Sequence, residues 1–551
     1  MKTPCWQKWI LVWTVILSSS MLHAYEKQSD GVLFEIPKHA GSDVQRLKIQ
    51  ICTDDIIRVV ASPENSFSTR PSLMVNKTDW QVIPWTVKEN GDQVEIATAN
   101  VRVRVNAKTG AVAFFDAQGK PLLQEPQSGG KTMPAADVMG EQTRHIRQIF
   151  NSPDDEAFYG LGAHQNDYWN YKGHDVDLWQ YNIVDVIPFL VSSRNYGILW
   201  DNNSRTKFGD IRDYQSLSAL TMFGKDGKTA GLTADYYRDA NFDSLYASRS
   251  ERRIEYEFRD ICDTFPEGFK TNVKAVRWTG EIEAPETGLF KIRFYSSSYA
   301  KFWIDGKLMV DSWRQNWNPW EHIFKVAMKS GSRHKIKIEW IHDGGYIGVR
   351  YLTPEKDLKK NTISLYSEVA DQIDYYFVHG ATLDQVVQGY RTITGKAPMM
   401  PKWAMGFWQC RQRYKSQDEI LSTVKEYRKR NIPLDNIVQD WFYWKEDDWG
   451  SHDFDSSRFP DAAGMVKELH NDLHANIMIS VWPKFYVGTK HYNEFDANGW
   501  LYKRNVEKGQ KDWVGPGYVS TFYDPYSADA RKLYWKQINE KLFSKGFDAW
   551  W

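Results

Sequence analysis

From about residue 25 to residue 228, apolar and polar positions alternate in short runs: QRLKIQICTDDIIRVVAS (45–62), DQVEIATANVRVRVNAKTGAVAFFD (92–116) and IPFLVSSRNYGILWDN (187–202). Gly, Asn and Asp turns separate the runs, and a period of two between such turns predicts strands with one face buried. An antiparallel β-sandwich is expected. A second β-rich block, 229–353, carries RWTGEIEAP, GLFKIRFYSS, AKFWIDGKLMVDSW and HKIKIEWIHDGG, short evenly spaced strands of another sandwich-like module. After it ISLYSEVADQIDYYFVHG (363–380) returns to the earlier style. The second block therefore reads as an insertion into the first sandwich, which 354–384 completes, since exposed loop tips tolerate inserted domains.

Near residue 385 the pattern changes class. Apolar segments WAMGFWQC (403–410), NIVQDWFYW (436–444), NIMISVWP (476–483) and FDAWW (547–551) alternate with the helical patterns QDEILSTVKEYRKR, AAGMVKELHNDL and SADARKLYWKQINEKLFSKG. Strands that are apolar along their whole length, each followed by a helix, predict a parallel sheet covered on both faces. The expectation for 385–551 is the first half of a (β/α)8 barrel. A doubly wound sheet has the same periodicity, but no G-x-G-x-x-G or phosphate-binding loop follows any strand. The run GFDAWW at 546–551 reads as a barrel strand cut in mid-course, which makes the chain a fragment on this reading.

Charge narrows the function classes. Lys+Arg 70 against Asp+Glu 70 leaves a formal net charge of zero, which disfavours nucleic acid and other polyanions as partners. Aromatic residues make up 15% of the chain, and rings with an apolar face and a polar edge suit hydroxyl-rich ligands as well as sandwich cores. At the N-terminus, Lys2 and Lys8 precede the apolar run Ile10 to Leu17, and small residues lead to Ala24. That layout is a secretory signal peptide over 1–24, which implies export. The apolar run is far shorter than the roughly 20 residues that a membrane span needs, so no membrane span is expected. The remaining Cys52, Cys262 and Cys410 cannot all pair and read as small buried hydrophobes.

Several long motifs in a fixed order resemble family 31 of the glycoside hydrolases. FYGLGAHQ (158–165), NIVDVIPFLVSSRNYGILWDN (182–202) and DQIDYYFVHG (371–380) are similar to its N-terminal domain. GYRTITGKAPMMPKWAMGFWQCRQRYKSQDE (389–419), IPLDNIVQDWFYW, FPDAAGMVKELH and ISVWPKF resemble the entry to its barrel. The insertion, with VRWTGEIEAP (276–285) and FWIDGKLMVDSW (302–313), resembles a protective-antigen 14 kDa-type module. Some relatives of that module bind sugar through calcium on adjacent aspartates. Here SSSYA (296–300) stands at that place, so neither a metal nor any other cofactor is expected.

The resemblance implies a retaining, exo-acting α-glycoside hydrolase, whose two carboxyl groups lie about 5 Å apart. The family's nucleophile is an Asp ending the fourth barrel strand and its acid/base an Asp further downstream. Both are therefore expected after Trp551, with no catalytic carboxylate in this chain. What is expected here is substrate binding. On residue type alone Asp440 reads first as a cap or turn residue; the resemblance implies that it holds the sugar at the cleavage site, with Phe442 lining the same subsite. Trp482 reads equally as a core tryptophan or a stacking surface, and Arg413 as a solvated arginine or a ligand. Asn182 falls where relatives carry an Asp on a loop reaching the barrel mouth. Trp441 followed by Phe442 is the arrangement of the family's α-xylosidases, and its bulk would fill the pocket that the CH2OH of a glucoside needs. The resulting expectation is an α-xylosidase releasing terminal α-xylose from xyloglucan-type oligosaccharides. α-Glucosidase is the alternative within the family, and a non-catalytic carbohydrate-binding protein the alternative outside it.

Overall fold

The computed structural model describes residues 25–39, 42–180, 184–256, 265–313, 319–342, 345–355 and 361–551. The expected signal peptide at 1–24, Asn182 and Cys262 lie outside the described residues. The chain divides into two compact units, Met1–Lys396 and Ala397–Trp551.

In the first unit the alternation becomes antiparallel sheet as expected. Arg46–Ile51 shows how: Leu47, Ile49 and Ile51 are buried while Arg46, Lys48 and Gln50 face outward. An eight-stranded sheet and a six-stranded sheet enclose the core, joined by a five-stranded meander from Thr86 to Gln124. Val32, Leu47, Trp200 and Phe377 from the large sheet share one apolar cluster with Val94, Val103 and Phe114 of the meander. Each such side chain contributes about 1.5–3 kcal/mol when fully buried.

Thr362–Ala370 lies between Glu141–Asn151 and Thr206–Phe208, and Ile373–His379 between Ile56–Ser62 and Tyr196–Trp200. Two strands late in sequence thus sit inside the two sheets, so everything between them and Phe208 is an excursion from the sandwich. The excursion folds as a second pair of antiparallel sheets around Trp278, Trp340, Phe294 and Ile338. These tryptophans are 0% exposed, so the rings here do fill sandwich cores. Gln215–Ser216 pairs with Ile347–Leu352, and Thr221–Gly224 with Ala275–Glu283. Strand pairing with the module thus extends back to residue 215. Lys291 of the module reaches Asp175 of the sandwich at 2.7 Å, and the Tyr168 hydroxyl donates to the Ile323 carbonyl at 3.2 Å.

The helix Leu383–Thr394 also belongs to this unit. Its Val386 and Ile393 pack with Phe189, Leu199 and Val378, which moves the boundary from 385 to 397.

The second unit has a four-stranded sheet in the order Trp408–Gln409, Asn436–Gln439, Asn476–Ile479, Ala549–Trp550, with every pairing parallel. Helices Gln417–Lys429, Ala462–Asn471 and Ala528–Lys541 separate the strands, opened by Ser416, Asp461 and Ser527 as side-chain caps. Ile437, Ile477 and Ile479 meet Ile420, Val424, Met465 and Leu469 in one core. Among the described residues no closed barrel is present. Between the third and fourth strands, residues 484–523 form an excursion built on the hairpin of Lys484–Tyr486 with Ser520–Phe522.

Candidate functional site

The barrel strands are shorter than their apolar runs, and the difference makes the site. The second strand ends at Gln439, not at Trp444. Gln439 donates from Nε2 to the Asp440 carbonyl at 2.9 Å, and Asp440 Oδ1 accepts the Trp441 N–H at 2.7 Å. The backbone then turns through Phe442 at φ +71°, a left-handed conformation uncommon for a bulky residue. Arg458 fixes this turn from behind, donating to the Phe442 carbonyl at 3.0 Å and to the Trp444 carbonyl at 2.6 Å while pairing with Asp455 at 3.0 Å. Tyr443 and Trp444 are buried as loop residues rather than as strand, which is why hydropathy alone overran the strand end.

Asp440 stands half-buried at this turn. Burial raises its carboxyl above the usual carboxylate range, and the Trp441 N–H opposes that only in part. Immediately beyond the C-terminal ends of the four strands, among the described residues, Asp440 supplies the only carboxylate: Cys410 and Arg411 follow the first strand, Ser480 to Trp482 the third, and Trp551 the fourth.

Four of the residues singled out from sequence, Trp441, Phe442, Arg413 and Trp482, belong to the aromatic cluster that follows it. The Arg413 guanidinium lies 4.2 Å from the Phe442 ring centre and 5.3 Å from that of Trp441. Burial and the charge of Arg458 hold its pKa below the ordinary arginine value. Trp441 stacks on Trp449, with centroids 5.6 Å apart and planes at 28°. Trp482 joins the group through the same Trp449, edge to face at 5.2 Å, and its Nε1 donates to Ser480 Oγ at 2.9 Å. With the polar edge of Trp482 satisfied internally, its half-buried ring faces are what it has to offer. Arg411 is exposed and leans over Tyr414, which is itself buried in the core.

Sequence reading missed the centre of this cluster. Trp449 is 1% exposed and touches Trp441, Trp444, Trp482, Tyr486 and Trp513. The Lys484 ammonium lies 3.9 Å from its ring centre and 2.8 Å from the Asp512 carboxylate. Asp512 also accepts the Tyr486 hydroxyl at 2.5 Å. Burial would raise its carboxyl, but the hydrogen bonds from Lys484 and Tyr486 outweigh that and hold it below the usual range. The partners are 28 residues apart in the long excursion, beyond the reach of any periodicity. The arrangement offers one desolvated carboxylate, one guanidinium and several indole faces, a set suited to a neutral polyhydroxylated ring. Among the described residues no group of three His, Cys, Asp or Glu side chains is placed to hold a metal ion, and no helix is long and apolar enough to cross a membrane.

Comparison with known proteins matches three stretches of the chain to known domains. Residues 397–551 match the glycosyl hydrolases family 31 TIM-barrel domain, residues 46–208 the glycosyl hydrolase 31 N-terminal galactose mutarotase-like domain, and residues 228–365 the PA14 domain. The crystal structure of a GH31 alpha-xylosidase from Xanthomonas citri is similar at 48% identity and a TM-score of 0.84, covering 95% of this chain and 57% of that one. An alpha-xylosidase of Saccharolobus solfataricus is 37% identical over 207 residues, 38% of this chain and 26% of the relative. Alpha-glucosidase 2 of Bacillus thermoamyloliquefaciens is 33% identical over 148 residues, 27% of this chain and 17% of the relative. The chain thus spans a little over half of the Xanthomonas citri enzyme and about a quarter of the Saccharolobus solfataricus one. Residues 46–208 and 397–551 thus carry two domains of glycosyl hydrolase family 31.

Proposed function

We propose that this chain is the substrate-binding part of an exported, retaining α-xylosidase that removes terminal α-xylose from xyloglucan-type oligosaccharides. The observation that carries the reading is Trp441. It follows Asp440 directly and its ring is held against Trp449, and in this reading that braced ring takes the space the CH2OH of a glucoside would need. A xylose ring lacks that group. The alpha-xylosidase relatives support the same choice, and Alpha-glucosidase 2 keeps an α-glucosidase as the alternative. Export rests on the leader-like residues 1–24.

In this reading the Asp440 carboxylate accepts two hydroxyls of the terminal sugar, Arg413 donates to a ring substituent, and Trp482 and Phe442 bound its faces. Hydrolysis with retention needs two carboxyl groups about 5 Å apart, one attacking the anomeric carbon and one protonating the departing oxygen. With Asp440 engaged in binding, neither of these two roles is given to it.

The test is titration of the chain with α-xylosides and α-glucosides of the same aglycone. Tighter binding of the xyloside, lost in Asp440→Asn, is the expected result. Equal binding of both, or binding indifferent to Asp440, would remove the basis of the assignment.

A further inference from the structure

Trp513 is the one member of the aromatic cluster that turns substantially outward, with 60% of its surface exposed. An indole this open is ordinarily either unsupported or part of a binding surface, and this one is well supported. Its inner side rests on the Lys484 ammonium, 4.7 Å from the ring centre, and on the edges of Trp441 at 6.4 Å and Trp449 at 6.1 Å. The preceding residue, Asp512, is locked by Lys484 at 2.8 Å and Tyr486 at 2.5 Å, and its Oδ1 accepts the Val514 N–H at 3.1 Å and the Tyr518 N–H at 3.2 Å. Lys484 and Asp512 side chains are 5% and 4% exposed, so this anchor is shielded from solvent. A flexible excursion would have no need of a buried ion pair whose two partners flank a single exposed indole.

We propose that the outer face of Trp513 is a stacking platform for the sugar that carries the terminal xylose, and that Lys484 and Asp512 are positioning residues that hold the ring in place. The proposal rests on the assignment of the terminal sugar to Asp440. Trp441 adjoins Asp440 in sequence and Trp513 lies one indole further out, so a sugar bonded to one held at Asp440 meets Trp513 next. The ligand class is a β-glucan-type backbone unit substituted with α-xylose: a neutral pyranose with an apolar face to lay on the ring. The stacking adds affinity for the oligosaccharide that free xylose cannot use.

Calorimetric titration of the 551-residue chain with xylose and with a xylose-branched glucan oligosaccharide tests this, in the native sequence and in Trp513→Ala, Trp513→Phe and Asp440→Asn. Expected is that Trp513→Ala weakens the oligosaccharide by about tenfold more than it weakens xylose. Trp513→Phe should restore most of the difference, and Asp440→Asn should weaken both ligands together. Equal effects of Trp513→Ala on the two ligands, or none on either, overturn the platform while leaving the Asp440 site standing. Failure of the native chain to bind either sugar overturns the Asp440 assignment and the platform with it. Should Trp513→Ala fail to fold, the Phe variant decides: a large selective loss in it contradicts a role for ring stacking.

Discussion

Trp441 and Trp449 lie ring on ring, 5.6 Å between centroids and 28° between planes, with Trp449 itself almost wholly buried. The side chain that would choose between xylose and glucose is therefore braced rather than mobile, and an offset pair of this kind adds about 0.5–1.5 kcal/mol beyond the area it buries. In a complete enzyme, Trp441→Ala is expected to move preference from α-xyloside towards α-glucoside by about 1–3 kcal/mol, the range over which an apolar pocket discriminates a carbon-sized group. The ratio of kcat/KM for the two aryl glycosides is the measurement, and an unaltered ratio would count against the assignment of Trp441.

If Asp440 holds the sugar as proposed, affinity depends on pH. Its carboxyl is raised by burial, and only the ionised form accepts two hydroxyls. Affinity should therefore decline as pH falls, beginning at a higher pH than an exposed aspartate would dictate. The same shift sets the sign for stability: the native state releases this proton less readily than the unfolded chain, so ionising Asp440 costs stability as pH rises through its native pKa. Asp440→Asn should then lose sugar binding yet raise the Tm at neutral pH. A variant that binds normally, or one with a lowered Tm, would show that the carboxylate serves the fold rather than the ligand.

The Lys484–Asp512 pair is a second point of leverage. Removing one partner of a shielded ion pair leaves an uncompensated charge, at a cost of about 3–5 kcal/mol. Lys484→Met should destabilise the second unit by that order in urea unfolding, and Lys484→Met combined with Asp512→Asn should recover part of it. Full additivity of the two changes would mean that the contact at 2.8 Å carries no coupling.

A similar pair lies in the sandwich. Glu125 and Lys131 are both 0% exposed, and Glu125 also accepts the Val112 N–H at 2.8 Å and the Tyr375 hydroxyl at 2.9 Å. Tyr375 belongs to the strand that returns after the inserted module, so this carboxylate links the start of the chain to its late closing strand. Lys131→Met should lower sandwich stability by about 3–5 kcal/mol, read from the transition of the first unit. A loss below about 1 kcal/mol would place the pair with ordinary surface bridges.

What was legible in the sequence follows from the range of each physical signal. Alternation found Arg46–Ile51 because one face of that strand is buried, whereas Ile56–Ser62 and Ile373–His379 are buried on both faces and were recognisable as apolar, β-branched and aromatic runs between turns. Hydropathy failed at the strand end near Asp440, since Tyr443 and Trp444 are as buried as strand residues while lying in a turn held by Arg458. The pairing of 215–216 and 221–224 with residues far along the chain carries no local signal. Arg413 packs on Trp441 and Phe442, but the roles given to these residues and to Asp440 came from the family resemblance, since residue type alone reads Asp440 as a cap or turn. Trp449, Lys484 and Trp513 were not readable, because only the folded excursion brings them together.

The most direct measurement of the central claim is the specificity of the complete enzyme, as kcat/KM for an aryl α-xyloside against the matching aryl α-glucoside. The account predicts that the xyloside is preferred and that Asp440→Asn abolishes turnover of both. A preference for the glucoside with Trp441 intact would contradict it.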